Sequence, residues 1–147
     1  YVPVIWDTTV HLRARAGWGV GIEGDRLPVF ERYFVGGIST VRGYDVRSLG
    51  PQVAGVLIGG NKELIFNVEY IFPIAPSLKL RGLIFFDAGN AFSEDESIKF
   101  ENLRFSAGGG FRWFSPMGPL TFVLGFPLDR QEGEDPSAVQ FSIGTPF

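Results

Sequence analysis

The chain has 147 residues, a formal net charge of −3, 20 glycines, 15 phenylalanines and no cysteine. That length suits one domain with a sizeable core, and the acidic balance gives no footing for a nucleic-acid partner. No run approaches the roughly 18 apolar residues of a transmembrane helix, while glycine and phenylalanine are high for an ordinary soluble domain.

Residues 1–5 read as the tail of a strand, broken near Trp6–Thr8 by a short turn. The next segment is the clearest in the chain. Val10, Leu12, Ala14, Ala16, Trp18, Val20 and Ile22 share one parity, and His11, Arg13, Arg15, Gly17, Gly19, Gly21 and Glu23 hold the other. Successive side chains in a strand point to opposite faces, so one face is apolar and the other cationic and glycine-rich. A helix would scatter Arg13 and Arg15 into the apolar stripe.

After a long connection, 24–61, the pattern returns. Leu64, Phe66, Val68, Tyr70 and Phe72 oppose Glu63, Asn67 and Glu69; Leu78, Leu80, Ile84 and Phe86 oppose Lys79, Arg81 and Asp87. Leu103, Phe105, Ala107, Phe111 and Trp113 oppose Arg104, Ser106 and Arg112. Leu120, Phe122, Leu124 and Phe126 form a fifth apolar row, and Val139, Phe141, Ile143 and Phe147 a sixth, opposite Gln140 and Ser142. Most segments have the length that a tilted strand needs to cross a bilayer. Proline-marked turns at 73–77 and 115–119 alternate with longer connections at 24–61, 89–102 and 128–137. Short turns on one side and long loops on the other describe an antiparallel transmembrane β-barrel of the bacterial outer membrane. On that rule Trp6, Tyr70, Phe72, Trp113, Phe114 and Phe147 form an aromatic girdle at the periplasmic rim. A soluble sandwich or lipocalin-like barrel is the competing fold, with the apolar rows inside. Six strands and a stub fall short of the minimum of about eight for a closed bacterial barrel. The chain is therefore expected to be part of a larger barrel, or to be complemented by a second copy.

The connection 24–61 is too long to be filler. Its centre, Phe34-Val35-Gly36-Gly37-Ile38-Ser39-Thr40-Val41-Arg42-Gly43-Tyr44, is dense in glycine around a single arginine. It lacks the Gly-Lys-Ser/Thr ending of a phosphate loop. Folded into the barrel, the loop would need acidic partners for Arg42, because an unpaired buried charge is costly. Glu69 and Asp87 on the following polar faces would serve, since a guanidinium can hold two carboxylates. A solvated loop arginine is the plainer alternative.

The segment Gly36–Tyr44 resembles the Val-Arg-Gly-Phe/Tyr loop of the BamA/TamA superfamily, which covers outer-membrane assembly factors and two-partner secretion transporters. Three more motifs follow in the family's order: Phe85-Phe86-Asp87-Ala88-Gly89-Asn90-Ala91-Phe92, Phe111-Arg112-Trp113-Phe114-Ser115-Pro116-Met117-Gly118-Pro119-Leu120, and the tail Phe141-Ser142-Ile143-Gly144-Thr145-Pro146-Phe147. The resemblance implies that residues 1–147 are the C-terminal six to seven strands of a sixteen-stranded barrel of the bacterial surface antigen type, without its periplasmic POTRA domains. It implies a loop–lumen lock of Arg42, Gly43 and Tyr44 with Glu69 and Asp87, and a seam strand carrying Phe141, Ile143, Gly144 and Phe147. Leu49-Gly50-Pro51 fits the BamA branch better than the TamA branch. Pro146 departs from the pattern and, lacking an N–H, weakens pairing at the strand's end.

The implied function is insertion and folding of other outer-membrane proteins, without enzymatic chemistry, cofactor or metal. The implied partners are membrane lipid, nascent outer-membrane proteins and, through the missing domains, periplasmic lipoproteins of the assembly complex. An edge strand that can part from its neighbour would template a client strand by β-augmentation. Gly144 would bend that strand inward, or merely accommodate a bulky neighbour. The rivals are a TamA-like or two-partner secretion role, a passive anion-selective pore lined by Arg13, Arg15, Lys79, Arg81, Arg104 and Arg112, and a barrel hydrolase using His11, Asp87 and Ser106. The acidic run Glu94, Asp95 and Glu96 lacks EF-hand spacing.

Overall fold

The computed structural model describes residues 2–144 apart from 5 and 6, with Val2–Val4 described as backbone only. Trp6, Thr145, Pro146 and Phe147, and the girdle, tail and seam expectations that fall on them, lie outside the described residues.

Seven strands form one antiparallel sheet. They are β1 (Val2–Val4), β2 (Thr8–Trp18), β5 (Lys62–Ala75), β6 (Leu80–Phe92), β7 (Arg104–Ser115), β8 (Gly118–Pro127) and β9 (Ala138–Ile143), each hydrogen-bonded to the next in that order. A two-stranded hairpin, β3 (Gln52–Val53) with β4 (Val56–Leu57), lies within the long connection. The alternation read from the sequence is the pleat of this sheet. Strands β2, β5, β6, β7 and β8 have 11, 14, 13, 12 and 10 residues, enough for tilted strands to span a hydrocarbon layer. The short connections centre on a 3-10 turn at Pro76–Leu78 and on Pro116–Met117, and the long ones run over 19–61, 93–103 and 128–137.

The sequence misplaces several boundaries. Strand β2 stops at Trp18, so Val20 and Ile22 belong to the loop. Strand β6 runs on to Phe92, because Gly89–Phe92 pair with Lys62–Ile65. Lys79 is no inward strand residue; it closes the 3-10 turn in the left-handed conformation, φ 54°. Leu103 is buried beside the 3-10 turn at Phe100–Asn102 rather than in the apolar row of β7.

The two faces of the sheet differ as their residues require. Leu12, Val68, Tyr70, Ile84, Phe86, Phe111, Trp113, Phe122, Leu124, Phe126, Val139 and Phe141 stand exposed on the outer face. Water would not tolerate so large an apolar surface, whereas lipid does. A ladder of rings, Phe111–Phe122–Phe141, crosses β7, β8 and β9 with centroid separations of 5.4 and 4.6 Å. Tyr70, Phe72, Trp113 and Phe114 sit at the short-turn end of the sheet. A second set, Trp18, Phe66, Phe100 and Phe105, lies toward the loop end, where Phe66 stacks on Phe100 at 6.4 Å.

The inner face is not wholly ionic. Ile65, Ile71, Leu83, Phe85 and Val123 are buried there among the charges. They form a hydrophobic floor on which the long loop rests. Val35, Val41, Tyr44 and Leu49 of the loop cluster with Ile65 and Ala91, and Ile38 packs on Ile71, Leu83, Phe85 and Val123.

Candidate functional site

The loop approaches the wall through a tight reversal. Gly37 N–H donates to the Val41 carbonyl (3.1 Å), Thr40 N–H donates to the Gly37 carbonyl (3.1 Å), and Gly36 N–H donates to Thr40 Oγ1 (2.8 Å). Asn67 of β5 holds the turn from below, its amide donating to the Thr40 carbonyl at 2.7 Å. The reversal delivers Arg42 to the inner face at 1 % exposure.

Arg42 meets Asp87 with a two-pronged fork, Nε to Oδ2 and Nη2 to Oδ1, both 2.8 Å. Its backbone N–H also donates to Asp87 Oδ2, at 3.0 Å. The third prong, Nη1, reaches Glu69 Oε2. The guanidinium lies over the Phe85 ring, 4.0 Å from its centroid. Glu69 and Asp87 are themselves fully buried, and Arg112 of β7 donates to Glu69 Oε1 at 3.0 Å and to Thr121 Oγ1 at 3.2 Å. Two arginines thus face two carboxylates, and the buried quartet carries no net charge. Burial opposes the Arg42 charge, but hydrogen bonds and attraction from Asp87 and Glu69 outweigh it and hold its pKa above the ordinary value.

Gly43 follows with φ +89°, a conformation that favours glycine. It lies directly on the backbone of Gly125 in β8, where an added Cβ on Gly125 would stand 2.5 Å from the Gly43 Cα. Tyr44 then turns toward the loop 128–137. Its hydroxyl lies 2.9 Å from the Phe105 carbonyl and within hydrogen-bonding distance of Asp129 Oδ1. Arg104 secures the same carboxylate (3.1 Å) and Glu134 (2.6 Å), with its guanidinium 5.1 Å from the Tyr44 ring centroid. Burial, then the bond and charge of Asp129, push the Tyr44 phenol well above its usual pKa.

The structure therefore brings Arg42, Gly43, Tyr44, Glu69 and Asp87 into one cluster. Phe141, Ile143 and Gly144 lie elsewhere: Phe141 and Ile143 are exposed on the outer face. Gly144, φ +93°, ends the strand with its N–H on the Pro119 carbonyl at 2.7 Å. Sequence reasoning missed Arg112, Phe85, Asn67 and Gln140 as members of the cluster. Their inward parity was the available signal. Gln140 accepts the Gly43 N–H on Oε1 (3.2 Å) and donates from Nε2 to the Tyr44 carbonyl (2.7 Å). The inward cations proposed as a pore lining are engaged: Arg15 with Glu63, Arg81 with Asp7, Arg104 with Asp129 and Glu134, and Arg112 with Glu69. Arg13 donates to the Ser39 carbonyl at 3.1 Å.

Comparison with known proteins bears on this arrangement. The model of the Omp85 superfamily domain matches residues 1–147. The chain belongs to the Omp85 superfamily. It is 40 % identical over 145 residues to the outer membrane protein assembly factor BamA of Nitratidesulfovibrio vulgaris (strain Hildenborough), covering 94 % of this chain and 18 % of that protein. It is 32 % identical over 168 residues to BamA of Neisseria meningitidis serogroup B (strain MC58), covering 89 % of this chain and 21 % of the relative. The crystal structure of BamA from Haemophilus ducreyi lacking POTRA domains 1–3 superposes with a TM-score of 0.77 at 22 % identity, over 91 % of this chain and 30 % of the other. This Omp85 chain thus spans about a fifth of the length of the curated relatives it matches. Its sheet is a stretch of outer-membrane β-barrel wall, with the apolar face toward lipid.

Proposed function

We propose that this chain is the C-terminal part of the barrel of a BamA-like factor that inserts and folds other outer-membrane proteins. The remaining strands and the periplasmic POTRA domains would lie in the rest of the protein. Its partners would be membrane lipid, nascent outer-membrane proteins and periplasmic lipoproteins that dock on the missing domains. The loop lock would set the shape of the wall, and β9 would be the seam strand that offers its backbone to an incoming client strand.

The observation that carries this reading is the neutral, buried quartet that seats a glycine-rich loop against the barrel wall, in a chain akin to assembly factors. A passive pore gains little from such a loop, which occupies the interior and ties up the arginines that would select anions. The reading needs no catalytic group: both oxygens of Asp87 accept from Arg42, which neutralises the carboxylate rather than arming it as a base for His11 or Ser106. No cofactor or metal is part of the proposal.

The test is reconstitution of the full-length protein in liposomes with an unfolded outer-membrane barrel as client. Wild-type protein is expected to speed the appearance of the folded, heat-modifiable client, and Arg42→Ala to slow it. Large, steady single-channel currents from the intact protein without acceleration of client folding would favour the pore.

A further inference from the structure

Residues 42–44 touch five strands of the wall in three consecutive steps, with the Tyr44 hydroxyl on the Phe105 carbonyl of β7. Arg42 grips β5 and β6 through Glu69 and Asp87. Gly43 rests on Gly125 of β8. The third step reaches β9, where the Gln140 side chain accepts from the Gly43 N–H and donates to the Tyr44 carbonyl. Strand β9 is short, pairing with β8 from Ala138 opposite Gly125 to Ile143 opposite Leu120, whereas β7 and β8 pair over the longer stretch from Ser106 to Ser115. An interior tie on β9 therefore counts for more than it would on a longer strand.

The chemistry of that tie is specific. One planar carboxamide accepts from an N–H and donates to a C=O at once, which a hydroxyl, carboxylate or ammonium cannot do with the same geometry. The partners also fix the amide's orientation, since the flipped amide would set NH₂ against N–H and oxygen against oxygen. Gln140 thus continues the backbone hydrogen bonding of the sheet inward, onto the loop.

We propose that Gln140 is a positioning residue that couples the loop lock to β9. While Arg42 holds the loop, the Gly43–Tyr44 backbone holds β9 against β8; when either contact is released, the other weakens by the same factor, as linkage requires. The functional consequence rests on the assembly reading above, in which β9 must part from its neighbours to receive a client strand.

Hydrogen exchange on the full-length protein in lipid nanodiscs tests the coupling, with protection factors corrected for intrinsic rates. Gln140→Met removes both bonds at similar length. It is expected to lower protection of the Ala138–Ile143 and Gly43–Tyr44 amides by about tenfold, the scale of two modest hydrogen bonds. Gln140→Glu supplies a sharper readout. Near neutral pH its carboxylate cannot donate to the Tyr44 carbonyl, so protection falls; at about pH 4 the protonated carboxyl can donate and accept again, so protection recovers. Wild type and Gln140→Met should show no such recovery. Unchanged β9 protection in Gln140→Met, or a Gln140→Glu variant whose protection does not return in acid, overturns the proposal. Should Gln140→Met not fold, the two pH arms of Gln140→Glu decide alone. A wild-type protein that shows the exchange pattern but folds no client overturns the assembly reading and leaves the coupling standing. One that folds clients without the pattern does the reverse.

Discussion

Arg42 is a cation held almost wholly out of water, and its cost is offset only because Glu69 and Asp87 are committed to it. Truncating it strips Asp87 of its two-pronged partner and leaves Glu69 with the bond from Arg112. Arg42→Ala should destabilise the full-length barrel by about 3–5 kcal/mol, the usual cost of breaking a buried ion pair from one side. The urea midpoint for loss of heat-modifiable mobility would measure it. Arg42→Lys should recover only part of the loss, because an ammonium cannot make the fork to Asp87. Tyr44 makes a different prediction. Its folded-state pKa lies above the ordinary value of 10.0, so the folded state favours the protonated phenol. The stability that this supplies is complete below pH 10.0 and is lost as pH rises through the folded value. Alkaline titration should show a tyrosine component that ionises above the ordinary tyrosine value, and Tyr44→Phe should remove that late component from the tyrosinate absorbance. A late component that persists in Tyr44→Phe would contradict the assignment.

At the scale of elements, the loop and the wall meet backbone to backbone. Gly125 and Gly43 touch because neither carries a side chain. A Cβ on Gly125 would fall 2.5 Å from the Gly43 Cα and 2.6 Å from its nitrogen, and neither is the movable end of a side chain. Gly125→Ala should therefore push the loop off β8, cost about 1–3 kcal/mol as overpacking does, and expose the segment 19–61 to protease. Gly109→Ala is the control. Its added Cβ comes no nearer to a neighbour than 3.2 Å, at the Leu83 carbonyl, so it should disturb stability and loop cleavage far less. Equal protease sensitivity in the two variants would mean that the glycine contact does not seat the loop.

The whole sheet is organised by two solvents. Lipid takes the outer face, and the loop takes the inner one. A charge placed on the outer face should be penalised by depth. Phe122→Arg, in the ring ladder near the middle of β8, is expected to cost about 2–4 kcal/mol if it lies at the bilayer midplane, read from the urea dependence of folding into vesicles. A cost near zero would place that face in water. The inner face is a composite. Its charges neutralise one another, and its apolar residues Ile71, Leu83, Phe85 and Val123 give the loop a surface to bury.

Period-two alternation was enough to place the wall, because a residue's parity in a strand fixes its face whatever the rest of the protein does. The rows Val10–Trp18, Leu64–Phe72 and Leu120–Phe126 were legible for that reason, as was the inward placing of Glu69 and Asp87. Strand ends were not. Val20 and Ile22 keep the alternation but have no partner strand to pair with, while Gly89–Phe92 look like a loop yet are paired by Lys62–Ile65. Pairing is a property of two segments, and one segment's composition cannot declare it. The same limit hid Arg112, Phe85 and Gln140 from the site. Each was visible as an inward residue, but only the folded loop, arriving from a distant part of the chain, decided which inward residues it would touch.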